Sequence, residues 1–400
     1  MKVVICGAGI AGLTLAQRLA ALGTNVVLLE RASGPRTYGH MIDFYGAGYE
    51  AAEAIGVLPA IQQLAYPIGA ASLVDQHGRR KADVPYRQVT KALEGRLCRV
   101  MRPDLENVLR DNLPREVELR FGASVSEVAQ RDDGVCVALE DGTKLDADLL
   151  VGADGIHSTV RTLVFGPPSQ YLRYPGFHSA AFALEAPSIR EAVGDHVVLT
   201  DAVDRQIALH ALRDGRTAVC AVYRASDGGR PDDARAALRD RYAAMGWLVP
   251  EVLERCPESA KIHYDRVAQI EMPRWSDNRV VLVGDACCAT SVLAGQGASL
   301  SVASAYVLAE QLRTTSSVDR ALAFYERLWR PVVEEKQQTG RAATGWLFPA
   351  SSSQLRIRRA AQRLTWRPLL NRFVATALAG EPTAVITMLR LGSSDSPAVP

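Results

Sequence analysis

Aromatic residues are scarce in this 400-residue chain, at 6%, and a surface that stacks nucleic-acid bases needs them in number. Net charge is nearly nil. Lys and Arg number 46 against 44 Asp and Glu, which leaves +2, so no global field draws in nucleic acid or an acidic membrane. No apolar run reaches the roughly 18 residues needed to span a bilayer, and no stable membrane association is expected. The seven cysteines, Cys6, Cys98, Cys136, Cys220, Cys256, Cys287 and Cys288, are odd in number and scattered. They show no metal-ligand spacing, and no metal is expected. Several fall in apolar stretches and read as small core residues in a reducing cytoplasm. The adjacent Cys287 and Cys288 also admit a vicinal disulfide, with packing as the expected role.

What is present begins at residue 3. The apolar run Val3-Val4-Ile5-Cys6 is followed at once by Gly7-Ala8-Gly9-Ile10-Ala11-Gly12, and Glu30 closes the next apolar run, Val26-Val27-Leu28-Leu29. Strand, glycine turn, helix, strand and acid make a dinucleotide-binding unit. Gly7 permits the tight turn, Gly9 lets a pyrophosphate approach the backbone, and Gly12 allows close helix–sheet packing. The helix N-terminus offers unpaired N–H groups to phosphate. Glu30 stands about twenty residues past the turn, where a carboxylate meets a ribose hydroxyl. The glycines also interrupt the apolar start, so it does not read as a secretory leader.

The length predicts more than one domain. Residues 102–113 read as a helix, followed by short strands and a buried strand at 149–152. Residues 170–275 are strand-rich. A strand at 279–283 ends in Gly284-Asp285, and long helices follow to about residue 340. The expected organisation is α/β: a discontinuous Rossmann-type domain from 1–169 and 276–345, a β-sheet substrate domain at 170–275, and a C-terminal helical segment with tail at 346–400. Residues 354–380 are basic and partly amphipathic, read as a solvated or pocket-covering helix face, and Gly392 to Pro400 as disordered.

Three distant segments share one design, an apolar strand ending in a glycine turn: Gly7 to Gly12, Gly152 to Gly155, and Gly284-Asp285 with Gly295-Gln296-Gly297 opening the next helix. In an open α/β sheet, ligands gather at the carboxyl ends of strands. Together these motifs resemble the class A, single-component flavoprotein aromatic monooxygenases, over nearly the whole chain. Gly7 to Gly12 with Glu30 is similar to that family's FAD fingerprint. Gly152-Ala153-Asp154-Gly155-Ile156-His157-Ser158-Thr159-Val160-Arg161 is similar to its second motif. Gly284-Asp285-Ala286 with Gly295-Gln296-Gly297 is similar to its third, and Arg102 with Leu105 to the arginine that approaches the flavin. Met41-Ile42-Asp43-Phe44 looks like the loop beside the ring in the tetracycline-inactivating and polyketide-tailoring subgroup.

The resemblance implies a glutathione-reductase-like FAD domain and FAD bound through Gly7, Gly9, Ala11, Gly12, Glu30, Arg31, Arg102, Asp154, Asp285, Gly295, Gly297 and Ala298. It implies NAD(P)H as a transient co-substrate, O2 adding at the flavin C4a carbon, and a hydroperoxide that hydroxylates or epoxidises a polycyclic or polyketide-like small molecule. That role belongs to antibiotic biosynthesis or polyketide tailoring. The cofactor carries the hard chemistry, so no residue is singled out as catalytic. Substrate contacts are expected from Asp43, His178 and His210, and the chain is expected to be a monomer or weak dimer. Two departures stand out: Cys287-Cys288 replaces the family's Ala-His, and Val292 replaces a proline beside the glycine turn. They keep open a redox-neutral cyclase or isomerase that uses FAD as a scaffold.

Overall fold

The structure is a computed structural model that describes residues 1–36, 39–226, 229–290, 295–365 and 384–394. The chain opens with β1 (Lys2–Cys6), α1 (Ile10–Ala21), β2 (Asn25–Glu30), β3 (Met41–Tyr45), α2 (Ala47–Ala54) and α3 (Leu58–Gln63). It continues with β4 (Ala70–Val74), β5 (Arg80–Pro85), α4 (Tyr86–Ala92), β6 (Leu97–Met101), α5 (Arg102–Asp111) and β7 (Glu118–Phe121). Strands β8 (Val125–Gln130), β9 (Val135–Leu139), β10 (Lys144–Ala147) and β11 (Leu149–Gly152) lead to α6 (Thr159–Phe165) and β12 (Leu172–Leu184). Next come α7 (Pro187–Val193), β13 (Val197–Ala202), β14 (Arg205–Ala211), β15 (Thr217–Arg224), α8 (Ala234–Tyr242), α9 (Val249–Glu254) and β16 (His263–Ile270). The chain closes with β17 (Ser276–Asp277), β18 (Val280–Leu282), α10 (Asp285–Cys288), α11 (Gly297–Thr314), α12 (Val318–Leu347), α13 (Ser352–Thr365) and α14 (Val385–Ser394).

A six-stranded sheet in the order β17-β18-β11-β1-β2-β7 forms the first layer. Its central strands pair in parallel and are near-continuous apolar runs, KVVIC, NVVLLE and LLVG. A parallel sheet covered on both faces requires that pattern. Helix α1 packs on α11, and the two are tied by Arg18 to the fully buried Glu310 at 2.6 Å. The carboxyl ends of β1, β11 and β18 all point to one edge, where the three glycine turns emerge.

The second layer is a seven-stranded sheet, β16-β12-β15-β14-β13-β4-β5. It differs from the reading of 170–275 as its whole source, because Ala70–Val74 and Arg80–Pro85 extend it. β4 joins β13 in parallel, a pairing that links segments over 100 residues apart and leaves no local trace in either. One face packs on α7, α8 and α9 around Phe182, Tyr223, Leu238, Tyr242 and Tyr264. The other turns inward to the ribbon of β3 and β6, where Met101 meets Leu212, Ala218, Met41 and Ala183. At the C-terminus, Gly392 to Ser394 are helical, which corrects the expectation of disorder there; residues 395–400 lie outside the described residues.

Candidate active site

The three glycine turns are packed into one another. A Cβ on Gly7 would lie 2.5 Å from the Ala153 carbonyl oxygen, and one on Gly284 would lie 2.7 Å from the Ala11 Cβ. The first turn thus touches both of the others. Gly7 also has φ +104°, a left-handed conformation that suits glycine alone. Gly12 meets the Gly7 carbonyl so closely that a Cβ would sit 1.9 Å from its oxygen. Gly9 differs: nothing lies within 4 Å of its Cβ position, so it faces open space at the N-terminus of α1.

Glu30 reaches this turn. Its carboxylate accepts from the Ala8 N–H at 2.9 Å and the Ala32 N–H at 2.9 Å, which fixes it beside the α1 N-terminus. Arg31 next to it is exposed. Asp154 bonds within its own segment. Its carboxylate accepts from Ser158 Oγ at 2.5 Å and from the Thr159 and Val160 N–H groups at 2.7 and 3.1 Å, so it caps α6. Burial raises its carboxyl above the usual range. Arg161, fully buried, donates to the Ala286 carbonyl at 2.7 Å and the Ile156 carbonyl at 2.7 Å. It therefore ties the second turn to the third, a role that the motif's spacing alone did not disclose.

In the third turn Gly284 has φ +61° and Gly295 φ +65°. The Cβ position of Gly297 lies 3.9 Å from Asp285 Oδ1, which brings the acid to the first turn of α11 with Ala298. Burial raises the Asp285 carboxyl, and the Arg102 guanidinium opposes that shift. Arg102 opens α5 and bonds Glu106 at 3.0 Å. Beside it, His40 stacks on His263 with ring centroids 6.5 Å apart. Tyr45 on β3 bonds the Gln296 side chain, and its N–H donates to Ser299 Oγ at 3.2 Å. The ribbon is thereby fastened to the glycine turn.

The three expected substrate contacts separate. Asp43 is held by Arg99, its cross-strand partner, in a fork with Nε at 2.5 Å and Nη2 at 2.6 Å. The Tyr86 hydroxyl also donates to it. With its oxygens taken, Asp43 positions Arg99 instead of reaching outward. His178 lies on the helix-covered face, its Nδ1 2.5 Å from the Tyr264 hydroxyl, and so points away from the glycine turns. His210 is on the inner face, buried, with Tyr66 edge-on at 5.2 Å. The His196 backbone lies within hydrogen-bonding reach of one ring nitrogen, and the other has no partner among the described residues. Around it the register aligns Ala183, Ala218 and His210 in one row and Ala181, Cys220 and Ala208 in the next, a floor of small side chains. A cavity of about 430 Å³ adjoins, lined by Tyr66, Tyr86, Leu97 and Arg99 among others. Val292 lies outside the described residues.

Three histidines here carry a pH consequence, and one of them, His263, is lowered by burial and then the Arg102 charge. Burial, then the Arg102 charge, lowers His40 to about 3, and burial, then Arg99, lowers His210 to about 4. An unfolded histidine titrates near ~6.5, so between that value and the folded one the unfolded chain binds more protons. Stability therefore falls as pH drops below ~6.5. Asp154 and Asp285, with raised values, pull the other way at lower pH. Urea unfolding from pH 7 to 4.5 is expected to show declining stability. His40→Gln with His210→Gln should flatten that decline, and an unchanged slope would refute the assignment.

Residues 1–338 match the FAD binding domain family. The chain belongs to this family of class A flavin monooxygenases. It is an FAD-dependent oxidoreductase of the monooxygenase type. An uncharacterized protein of Mycobacterium tuberculosis is 33% identical, covering 84% of this chain and 91% of that one. A flavin-dependent monooxygenase of Legionella longbeachae is 28% identical over 85% of this chain and 88% of its own. The crystal structure of tetracycline destructase Tet(51) superposes with a TM-score of 0.76 at 26% identity, covering 91% of this chain and 96% of that one. No helix of the described residues is long and apolar enough to cross a membrane.

Proposed function

We propose that this monooxygenase hydroxylates or epoxidises a bulky polycyclic or polyketide-like small molecule, with NAD(P)H and O2 as co-substrates. The observation that carries the reading is a cavity of about 430 Å³ lined by Tyr66, Tyr86, Leu97 and Arg99, of the size small-molecule sites take. Tyr66 connects it to His210 on the small-residue inner face of the seven-stranded sheet, and the β3–β6 ribbon beside it is bonded to the glycine turn through Tyr45 and Gln296. The residues fit FAD. Gly9 leaves the α1 N-terminus open to the pyrophosphate, Glu30 stands where a ribose is bound, and Asp285 with Gly295 to Ala298 frames the flavin end. FAD, when bound, supplies the two-electron chemistry with NAD(P)H and O2.

The protein's own residues bind and orient. His210 is neutral at pH 7, because its value lies at about 4, so an imidazole nitrogen accepts a hydrogen bond from a phenol or enol hydroxyl. Holding that hydroxyl raises electron density on the substrate ring, the condition for attack by electrophilic oxygen. Arg99, clamped by Asp43, stands over the Tyr86 ring at 4.3 Å and forms a polar wall. In the division of labour we propose, 1–69, 86–169 and 276–345 hold FAD, 170–275 with Ala70–Pro85 holds the substrate, and 346–365 covers it, while α14 packs on α2 instead. The test is turnover under 18O2 of aromatic polyketides bearing a phenol or enol. One labelled oxygen is expected in the product, and His210→Ala is expected to lower kcat/KM about tenfold, the loss of ~1.4 kcal/mol. An isomeric product formed without NAD(P)H or O2 would replace this reading with a redox-neutral cyclase.

A further inference from the structure

The family pattern and the packing role together leave one feature unexplained, the pair Cys287-Cys288. Both thiols are free and buried. Their sulfurs lie 3.0 Å apart, so about 1 Å of movement separates them from a disulfide bond length of ~2.05 Å. The Tyr325 hydroxyl is within hydrogen-bonding reach of both and also donates to the Leu282 carbonyl at 3.3 Å. Cys287 donates to that same carbonyl at 3.2 Å. Cys287 also lines a cavity of about 250 Å³ between the end of β16 and α12, with Trp275, Arg330, Gln337 and Arg341. Two adjacent thiols, one facing a cavity and one behind it, are the arrangement of an attacking and a resolving sulfur. Simple packing needs neither the second sulfur nor the opening.

We propose that Cys287 and Cys288 form a peroxide-reactive dithiol that closes reversibly to a vicinal disulfide and loosens FAD binding. The oxidant is hydrogen peroxide, the two-electron reduction product of the O2 this enzyme consumes. Cys287 Sγ attacks one peroxide oxygen, the O–O bond breaks, and the departing hydroxide leaves as water with the thiol proton. Cys288 Sγ then attacks the resulting sulfenic sulfur. The S–O bond breaks, a second water leaves with the Cys288 proton, and the S–S bond forms. The two thiols lose two electrons and the peroxide gains two. Closure must be absorbed by α10, which is four residues long and starts at Asp285 after the left-handed Gly284. Close packing transmits such shifts, so the Asp285 end moves relative to the first turn of α11. This coupling rests on the proposed placement of FAD at Asp285.

The experiment treats the FAD-loaded protein with graded hydrogen peroxide, alkylates it under denaturing conditions and digests it with trypsin. The peptide 280–313 is expected to lose the mass of two hydrogens, to resist alkylation, and to regain both thiols with dithiothreitol. FAD affinity, read by flavin fluorescence, is expected to fall several-fold in the oxidised form and to recover on reduction. Cys288→Ser should leave a Cys287 sulfenic acid that dimedone traps. Cys287→Ser, or Cys287→Ala where serine impairs folding, should keep FAD affinity insensitive to peroxide. Unaltered thiols, or a sulfinic acid at Cys287 without a disulfide, would overturn the proposal. Asp285→Ala separates the two readings. A disulfide that leaves FAD affinity unchanged while Asp285→Ala weakens it overturns the coupling. Unchanged affinity in Asp285→Ala overturns the placement of FAD, whatever the thiols do.

Discussion

Gly9→Ala is expected to lose FAD while keeping its fold, and Gly12→Ala to lose both. The two glycines share one turn and differ in what a methyl group would meet. At Gly9 nothing lies within 4 Å, and its backbone, φ −84° and ψ −171°, is open to any residue. The methyl therefore costs the apoprotein little and intrudes only where a pyrophosphate approaches. FAD affinity should fall at least ~10-fold, about 1.4 kcal/mol, with an unchanged apoprotein melting temperature. At Gly12 the methyl would sit 1.9 Å from the Gly7 carbonyl oxygen and 3.4 Å from the Ala153 Cβ. The Gly7 carbonyl is backbone and cannot yield without opening the junction of the first two glycine turns. The cost should reach ~3 kcal/mol or more, at or above the usual overpacking range of about 1–3. Fluorescence titration and thermal denaturation of both variants check the pair. Equal loss of stability at the two positions would sink the assignment of Gly9 to the ligand side.

The same contrast explains what was legible in the residue order. The first turn was readable because its parts are neighbours: strand, glycines, helix and acid occur within thirty residues, and each has a local geometric reason. The convergence of the three turns was readable in outline, since each ends an apolar strand and parallel sheets gather such ends at one edge. Contacts set by pairing over long separations were not. Asp43 reads as a polar residue near a ligand until β6 brings Arg99 opposite it. His178 and His210 have the same local character, a histidine in an alternating strand. Alternation shows that a side chain is on one face or the other and does not say which face the helices cover. That is decided by α7 to α9, which pack on the His178 side. The extension of the seven-stranded sheet by residues 70–85 escaped for the same reason, because a parallel pairing depends on the partner and not on the strand's own pattern.

Asp201→Ala is expected to release α13 from the seven-stranded sheet. Asp201 ends β13 on the inner face, with its side chain almost fully buried. It holds two guanidinium groups from α13. Arg358 pairs with one oxygen, and Arg359 bonds the other, with its Nη2 also donating to the Asp201 carbonyl at 3.0 Å. Arg358 in turn donates to the Leu347 carbonyl, which fixes the corner where Phe348 packs on Phe177 at 4.8 Å. Removing the acid leaves two like charges facing each other where burial already lowers the Arg358 guanidinium to about 10. Breaking a buried pair from one side costs about 3–5 kcal/mol. The loss need not unfold the molecule, because α13 is terminal and can open on its own. Limited proteolysis should then cut rapidly after residue 348 while FAD stays bound. Asp201→Leu combined with Arg358→Met, which removes both buried charges, should recover much of the resistance. If Asp201→Ala is as resistant to protease as the parent, then Phe348 and the helix contacts alone anchor the segment, and the ion pair does not.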